Sequence, residues 1–234
     1  MHAPPDPGDS RGMTDPRSRP PAPVSPFPTR DEREAERLRK REAVLAAAVA
    51  MFNARGFYET SLDEVAASLG ISKPTIYHYL GNKDQVLLEC LTRGLDQLLA
   101  AAEAARAAPG AGLDRLRTFL TRYALVNMDD FGRCVIRTPD EALSPESRLR
   151  FHRLKREIDG ALRALIEDGM ADGSIAPADV KLTAFTLAGA LNWPARWYDP
   201  QGPRSAESLA SAMVALLVSG LAPRTAADGE RPHS

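Results

Sequence analysis

Lys73, Thr75, Tyr77 and His78 fall within a single short stretch, SKPTIYHYL, and stand on the outward side of the helix that this stretch forms. An ammonium, a hydroxyl, a phenol and an imidazole at that spacing carry the hydrogen-bonding repertoire that reads base edges in a major groove, with the lysine also suited to a phosphate. His78 has no second His or Cys at ligand spacing, so a groove contact is the stronger reading than a metal ligand. Tyr77 has two readings, a groove contact or a ring half-buried in the helix packing.

Four side chains are of use only if something holds them in one direction. Ser61-Leu62-Asp63-Glu64 is a capping box, in which the serine hydroxyl and the Glu64 carboxylate satisfy each other's backbone amides. Leu62, Val65, Ala66 and Leu69 then share one face at helical spacing. Gly70 falls where a helix end needs a residue without a Cβ, Ser72 is placed to cap the next helix, and Pro74 sits in its first turn, where a missing amide proton costs nothing. Ala66, Gly70, Ile71 and Ile76 follow the spacing of a helix-turn-helix: a small residue where the helices cross, a glycine in the turn, and two isoleucines sealing the angle.

The flanking helices extend this frame. From Glu32 to Arg55 an apolar face of Leu38, Leu45, Ala48, Val49 and Phe52 precedes Gly56. Arg37, Arg39, Lys40 and Arg41 crowd its first half, opposed by Glu32, Glu34, Glu36 and Glu42. They read either as a solvated face or as phosphate anchors beside the reading helix. Asn82 caps a long helix that carries Val86, Leu87, Cys90, Leu91 and Leu95. Lys83 lies in its first turn, where the helix dipole favours an anion over a cation, so an outside phosphate is its expected partner.

The second half continues with helical stripes: Leu113, Leu116, Leu120, Tyr123 and Ala124; then Phe151, Leu154, Ile158, Leu162, Leu165 and Ile166; then a helix opened by Pro177 and interrupted at Asn192-Trp193-Pro194; then a last helix capped by Ser205. No segment alternates with period two, so the fold class is all-α. The Ala, Gly and Leu content of the last two helices suits pairing with a second copy. The expected organisation is a disordered tail over 1–31, a helix-turn-helix domain over 32–84, a helical ligand-binding and dimerisation domain over 85–223, and a loose tail over 224–234. Arg11, Arg17 and Arg19 in the first tail either brush phosphates or remain solvated.

Composition excludes several classes. The net charge of −1 rules out a polycation, so any nucleic-acid contact must come from a local patch. Two isolated cysteines, Cys90 and Cys134, form neither a metal nor a redox spacing and suit a reducing cytoplasm. No apolar run reaches membrane-spanning length and the N-terminus has no signal-peptide pattern, so a cytoplasmic protein without membrane contact is expected. No His-Glu-x-x-His, phosphate loop or Gly-x-Ser-x-Gly elbow occurs, and the acidic pairs Asp129-Asp130 and Asp140-Glu141 read as solvated loops. No catalytic residue, cofactor or metal is expected; a helical-bundle enzyme and a purely protein-binding scaffold stand as distant alternatives.

Phe52, Gly56, Phe57-Tyr58, Thr60-Ser61, Ile71-Ser72-Lys73 and Thr75-Ile76-Tyr77, followed by Lys83, resemble the DNA-binding domain of TetR/AcrR-type transcriptional regulators over about Leu38 to Leu91. Leu80 departs from the Phe more usual there, and Pro74 replaces a small residue. The resemblance implies a homodimer whose two reading helices lie one DNA turn apart, roughly 34–36 Å, on a near-palindromic operator, and a ligand that releases it. It assigns Lys73, Thr75, Tyr77 and His78 to DNA, Thr60 and Lys83 to phosphates, and Ser72 to the cap. An activator, or a regulator independent of ligand, has the same sequence signature.

In the C-terminal half, Asn192-Trp193, Arg196-Trp197-Tyr198, Asp199-Pro200 and Gly202 are similar to the end of TetR-type regulators of lipid and sterol catabolism, some of which respond to acyl-CoA thioesters. That likeness implies an inducer on which Trp193 or Trp197 stacks and whose phosphate Arg196 pairs. The alternative is that the tryptophans pack an interface or the core and Arg196 caps a helix.

Overall fold

The computed structural model describes residues 29–221. The expected tails and their Arg11, Arg17 and Arg19 lie outside the described residues, apart from Thr29 to Asp31. The chain divides into two compact units, Met1–Leu38 and Arg39–Ser234. Helix α1 (Arg30–Arg55) has only its first residues in the first unit, and it starts two residues earlier than its apolar pattern suggests. Thr29 and Glu32 form a capping box: the Thr29 amide donates to the Glu32 carboxylate at 2.6 Å and the Glu32 amide to the Thr29 hydroxyl at 3.2 Å. Leu38, expected on the buried face, is 51% exposed.

In the second unit the capping logic of the sequence is realised at α2, α4 and α10. Helix α2 (Leu62–Ser68) carries the Ser61/Glu64 box. Gly70 turns the chain at φ 64°, and α3 (Lys73–Leu80) ends at Gly81 with φ 75°. Ala66, Val65 and Ile76 are buried at the crossing of α2 and α3. Helix α4 (Lys83–Ala107) opens on a second capping box, Asn82 with Gln85, and is the spine of the unit, packed against α5 (Gly112–Met128), α6 (Asp130–Arg137) and α7 (Pro145–Ala171). It crosses α6 with no side chain between the backbones: a Cβ on Gly94 would stand 2.9 Å from the Phe131 carbonyl oxygen.

Two boundaries differ from the sequence pattern. Asp129 is not a solvated loop acid but the half-buried cap of α6, accepting from the Gly132 amide at 2.9 Å; desolvation, more than any other influence, raises its carboxyl above the ordinary value. Helix α8 (Val180–Asn192) begins three residues after Pro177, capped by Asp179. Helix α9 (Pro194–Trp197) restarts the chain after the break at Trp193, and α10 (Ala206–Ser219) follows its Ser205 cap. No strand occurs among the described residues.

Candidate nucleic-acid interface and regulatory cavity

Helix α3 is anchored by Ile76 and Leu80, both buried, which turns Tyr77 (43% exposed) and His78 outward. Lys73 is also exposed, but its Nζ reaches back to Asp63 Oδ2 on α2 at 2.7 Å, and that hydrogen bond, with the carboxylate charge, raises its pKa. Thr75 is half-buried. Ser72 has the extended backbone of a cap, yet its hydroxyl bonds the Thr75 hydroxyl at 2.8 Å instead of an amide. The expected side-chain cap is therefore absent, and the two hydroxyls satisfy each other. The His78 ring meets the Tyr79 ring nearly edge-on at 5.5 Å.

Two expected phosphate contacts have internal partners. Thr60 is 1% exposed and its hydroxyl donates to the Gly56 carbonyl at 2.9 Å and more weakly to that of Met51 at 3.3 Å. It pins the end of α1 to the start of α2, and its hydroxyl is not presented to an outside phosphate. Lys83 is half-buried, with Nζ 4.2 Å from the centre of the Phe57 ring and 3.4 Å from the Tyr58 carbonyl oxygen. Burial lowers its pKa, against the opposing influence of Glu59 and Glu64. The ammonium that dipole reasoning left to an external anion is held by a ring and a carbonyl. Tyr77 and Lys83 still share one cleft of about 340 Å3 with Tyr58 and Glu59.

The four cations of α1 differ in their commitments. Arg37 pairs with Glu34 one turn away at 3.5 Å, and Arg41 with Glu89 on α4. Arg39 and Lys40 are exposed and are likewise not without partners. Arg93 of α4 completes the link to α1 through Glu42. Arg41, half-buried, is neither a solvated side chain nor a cation without a partner: its charge faces Glu89 of α4.

The helical bundle carries a half-open cavity of about 380 Å3, lined mainly by apolar side chains such as Leu95, Leu98, Ile158 and Phe185, with Lys155, Arg156 and the acid Asp159 on its wall. One polar feature is the Asn192 side-chain Oδ1, which accepts from both the Tyr123 hydroxyl and the Asn127 side-chain amide, each at 2.9 Å. Burial chiefly raises the Tyr123 pKa, so the phenol is a neutral donor. Asn127 is wholly buried, and its own Oδ1 lacks a donor. Such a site accommodates an apolar body with one or two polar atoms. Sequence reading missed it, although two polar residues four apart on the buried stripe of α5 were a visible signal.

Trp193, Arg196 and Trp197 do not line that cavity. The tryptophans are 61% and 50% exposed, and Arg196 donates weakly to the Ile136 carbonyl at 3.5 Å. The break before Pro194 turns these side chains to the surface while burying Pro194 and Ala195. Among the described residues no group of three His, Cys, Asp or Glu is placed to hold a metal, and no helix is long and apolar enough to cross a membrane.

Comparison with known proteins matches two separate stretches of the chain. Residues 44–90 match the family model of bacterial regulatory proteins of the tetR family, and residues 109–221 match the tetracyclin repressor-like C-terminal domain. The repressor KstR2 of Mycolicibacterium smegmatis is 25% identical over 78% of this chain and 90% of its own length. The solved regulator PfmR of Thermus thermophilus is 32% identical, with a TM-score of 0.70 over 77% of this chain and 99% of that one. AibR, solved with isovaleryl coenzyme A and operator DNA, is 25% identical, with a TM-score of 0.67 over 76% of this chain and 98% of that one. A helix-turn-helix with an exposed second helix, a cavity-bearing helical half and a likeness that spans a whole solved regulator lead to one assignment: the chain belongs to the TetR family, and it is a DNA-binding transcriptional regulator rather than an enzyme.

Proposed function

We propose that this regulator is a ligand-responsive repressor that binds a near-palindromic operator as a homodimer and is released by a small-molecule inducer of the acyl-CoA class. The observation that carries the DNA half is the exposed Lys73, Tyr77 and His78 face, set on a helix whose opposite side is fully buried. Thr75 completes the reading set from its half-buried position, and Lys83 supports it from the shared cleft. We assign residues 32–84 to the DNA-binding domain and 85–223 to the ligand and dimerisation domain.

The inducer class is supported by the largely apolar cavity, whose wall carries two cations against one acid, and by AibR, which was solved with isovaleryl coenzyme A and operator DNA. Repression is supported by the likeness to KstR2, which is named a repressor. Leu182 and Phe185 on α8 and Leu216 on α10, all exposed, supply apolar surface for a second copy. The test is a gel shift on the DNA flanking the coding region, repeated with a panel of CoA thioesters and the matching free acids. A specific, salt-sensitive shift released by a thioester supports the reading. No shift on that DNA or on any selected sequence sinks the operator half, and no release by any thioester sinks the inducer half.

A further inference from the structure

A cleft of about 450 Å3 lies where the end of α1 and the turn after it meet the end of α6 and α9. Three arginines, Arg55, Arg137 and Arg196, line it against one acid, Glu59, in a chain whose net charge is −1. Arg55 is already paired with Glu64 at 3.2 Å. Arg137 and Arg196 are exposed, and neither forms an ion pair with an acid among the described residues. The weak bond from Arg196 to the Ile136 carbonyl sets its guanidinium beside the last turn of α6, the turn that carries Arg137.

A larger cleft along α1, α4 and α7 also contains arginines, but Arg41 and Arg93 there face Glu89 and Glu42. The seam cleft is different because its positive charge is not cancelled. Asn53, on the same wall, donates to the Asp130 carbonyl at 2.8 Å and so ties the end of α1 to the start of α6. Two exposed planar guanidinium forks lining one cleft are complementary to a hydrogenphosphate or diphosphate group.

We propose that this seam cleft binds a phosphate-class dianion through Arg137 and Arg196. Its walls are the α1–α2 turn of the DNA-binding half and the α6 and α9 ends of the regulatory half. An anion that prefers one setting of those walls shifts operator affinity by the same factor. The anion has two sources. One is the phosphate end of a CoA-type inducer, since Ile136 lines the bundle cavity and its neighbour Arg137 lines the cleft; this source rests on the inducer reading above. The other is a free phosphate or diphosphate, which does not.

The experiment is calorimetric titration of the full chain with inorganic phosphate, inorganic diphosphate and coenzyme A. It compares the unaltered protein, Arg137→Ala with Arg196→Ala, and a control of equal charge change, Arg106→Ala with Arg204→Ala. Diphosphate is expected to bind the unaltered and control proteins alike and the seam variant at least tenfold more weakly. Coenzyme A that competes with diphosphate and loses the same factor identifies the inducer as the source. Diphosphate binding without competition from coenzyme A supports the cleft with a free anion, and the inducer reading then fails separately. Equal affinity for the seam variant, an equal loss in the control, or no binding of any probe to the unaltered protein overturns the proposal. So does weakened operator binding by the seam variant in anion-free buffer, which would make the arginines DNA contacts.

Discussion

The Ser147 hydroxyl donates to the Asp84 carboxylate at 2.6 Å, and the same carboxylate accepts the Ser144 amide at 2.7 Å and the Ser144 hydroxyl at 3.0 Å. Asp84 lies in the first turn of α4 and Ser144 caps α7, so one side chain serves the N-terminal ends of two helices. The carboxylate thereby ties the helix leading out of the DNA-binding half to the longest helix of the regulatory half.

Asp84→Ala is expected to lower stability by about 1–3 kcal/mol, because it leaves buried donors on α7 unpaired, with the loss read from denaturant unfolding. Burial pushes the Asp84 carboxyl upward, but the Ser144 amide and the two serine hydroxyls outweigh it and hold the group below its ordinary value. A depressed folded pKa means the contribution is complete above the ordinary aspartate range and fades as pH falls through the lower folded value. The stability difference between the parent and Asp84→Ala should shrink in strong acid and stay constant near neutrality.

Thr60→Val removes a hydroxyl whose acceptors are the Gly56 and Met51 carbonyls while keeping the shape of the side chain. The expected loss is about 1 kcal/mol of stability, with operator affinity of the folded protein retained. Fluorescence anisotropy on an operator duplex, at a temperature where both proteins are folded, checks it. A tenfold loss of affinity there would return Thr60 to the phosphate contacts.

Tyr77→Ala together with Lys73→Ala should abolish specific operator binding and leave the dimer intact, since neither side chain is buried. Sedimentation provides the second readout. Asp63→Asn alone is expected to tighten DNA binding a few-fold at low salt, because Lys73 no longer has to leave a carboxylate to reach a phosphate. Unchanged affinity in Asp63→Asn would mean that Lys73 stays on α2 in the complex.

Gly94→Ala places a methyl group 2.9 Å from both the Phe131 carbonyl oxygen and Val135 Cγ2. Forcing α4 off α6 is expected to cost about 1–3 kcal/mol, visible as a lower melting temperature. An unchanged melting temperature would show that the crossing has room to relax.

The helix-turn-helix was legible because its determinants are local: the Ser61/Glu64 box, Gly70 and the Ile76 plug each act within a turn or two of themselves. The Thr29/Glu32 box was equally local and went unread beside a proline-rich stretch. Spacing alone did not show how the chain folds back on its own side chains. Lys83 looked unsatisfied until residues 57 and 58 folded over it, and Thr60, matched to a phosphate contact by resemblance, has its hydroxyl on the Gly56 carbonyl four residues away. The bundle cavity depends on five helices converging, which no spacing rule encodes, whereas the tryptophans on either side of Pro194 attracted attention through a likeness of local motif.

The bare crossing at Gly94 also has a mechanical consequence. A stiff helix resting on another backbone without an intervening side chain cannot easily slide there, so its easiest motion is to rock. With a rise of 1.5 Å per residue, Lys83 lies about 16 Å to one side of Gly94 and Ala107 about 20 Å to the other. The arms of this lever are nearly equal. A displacement imposed near Ala107 therefore reappears near Lys83 with similar size and opposite sense, and the glycine is the fulcrum.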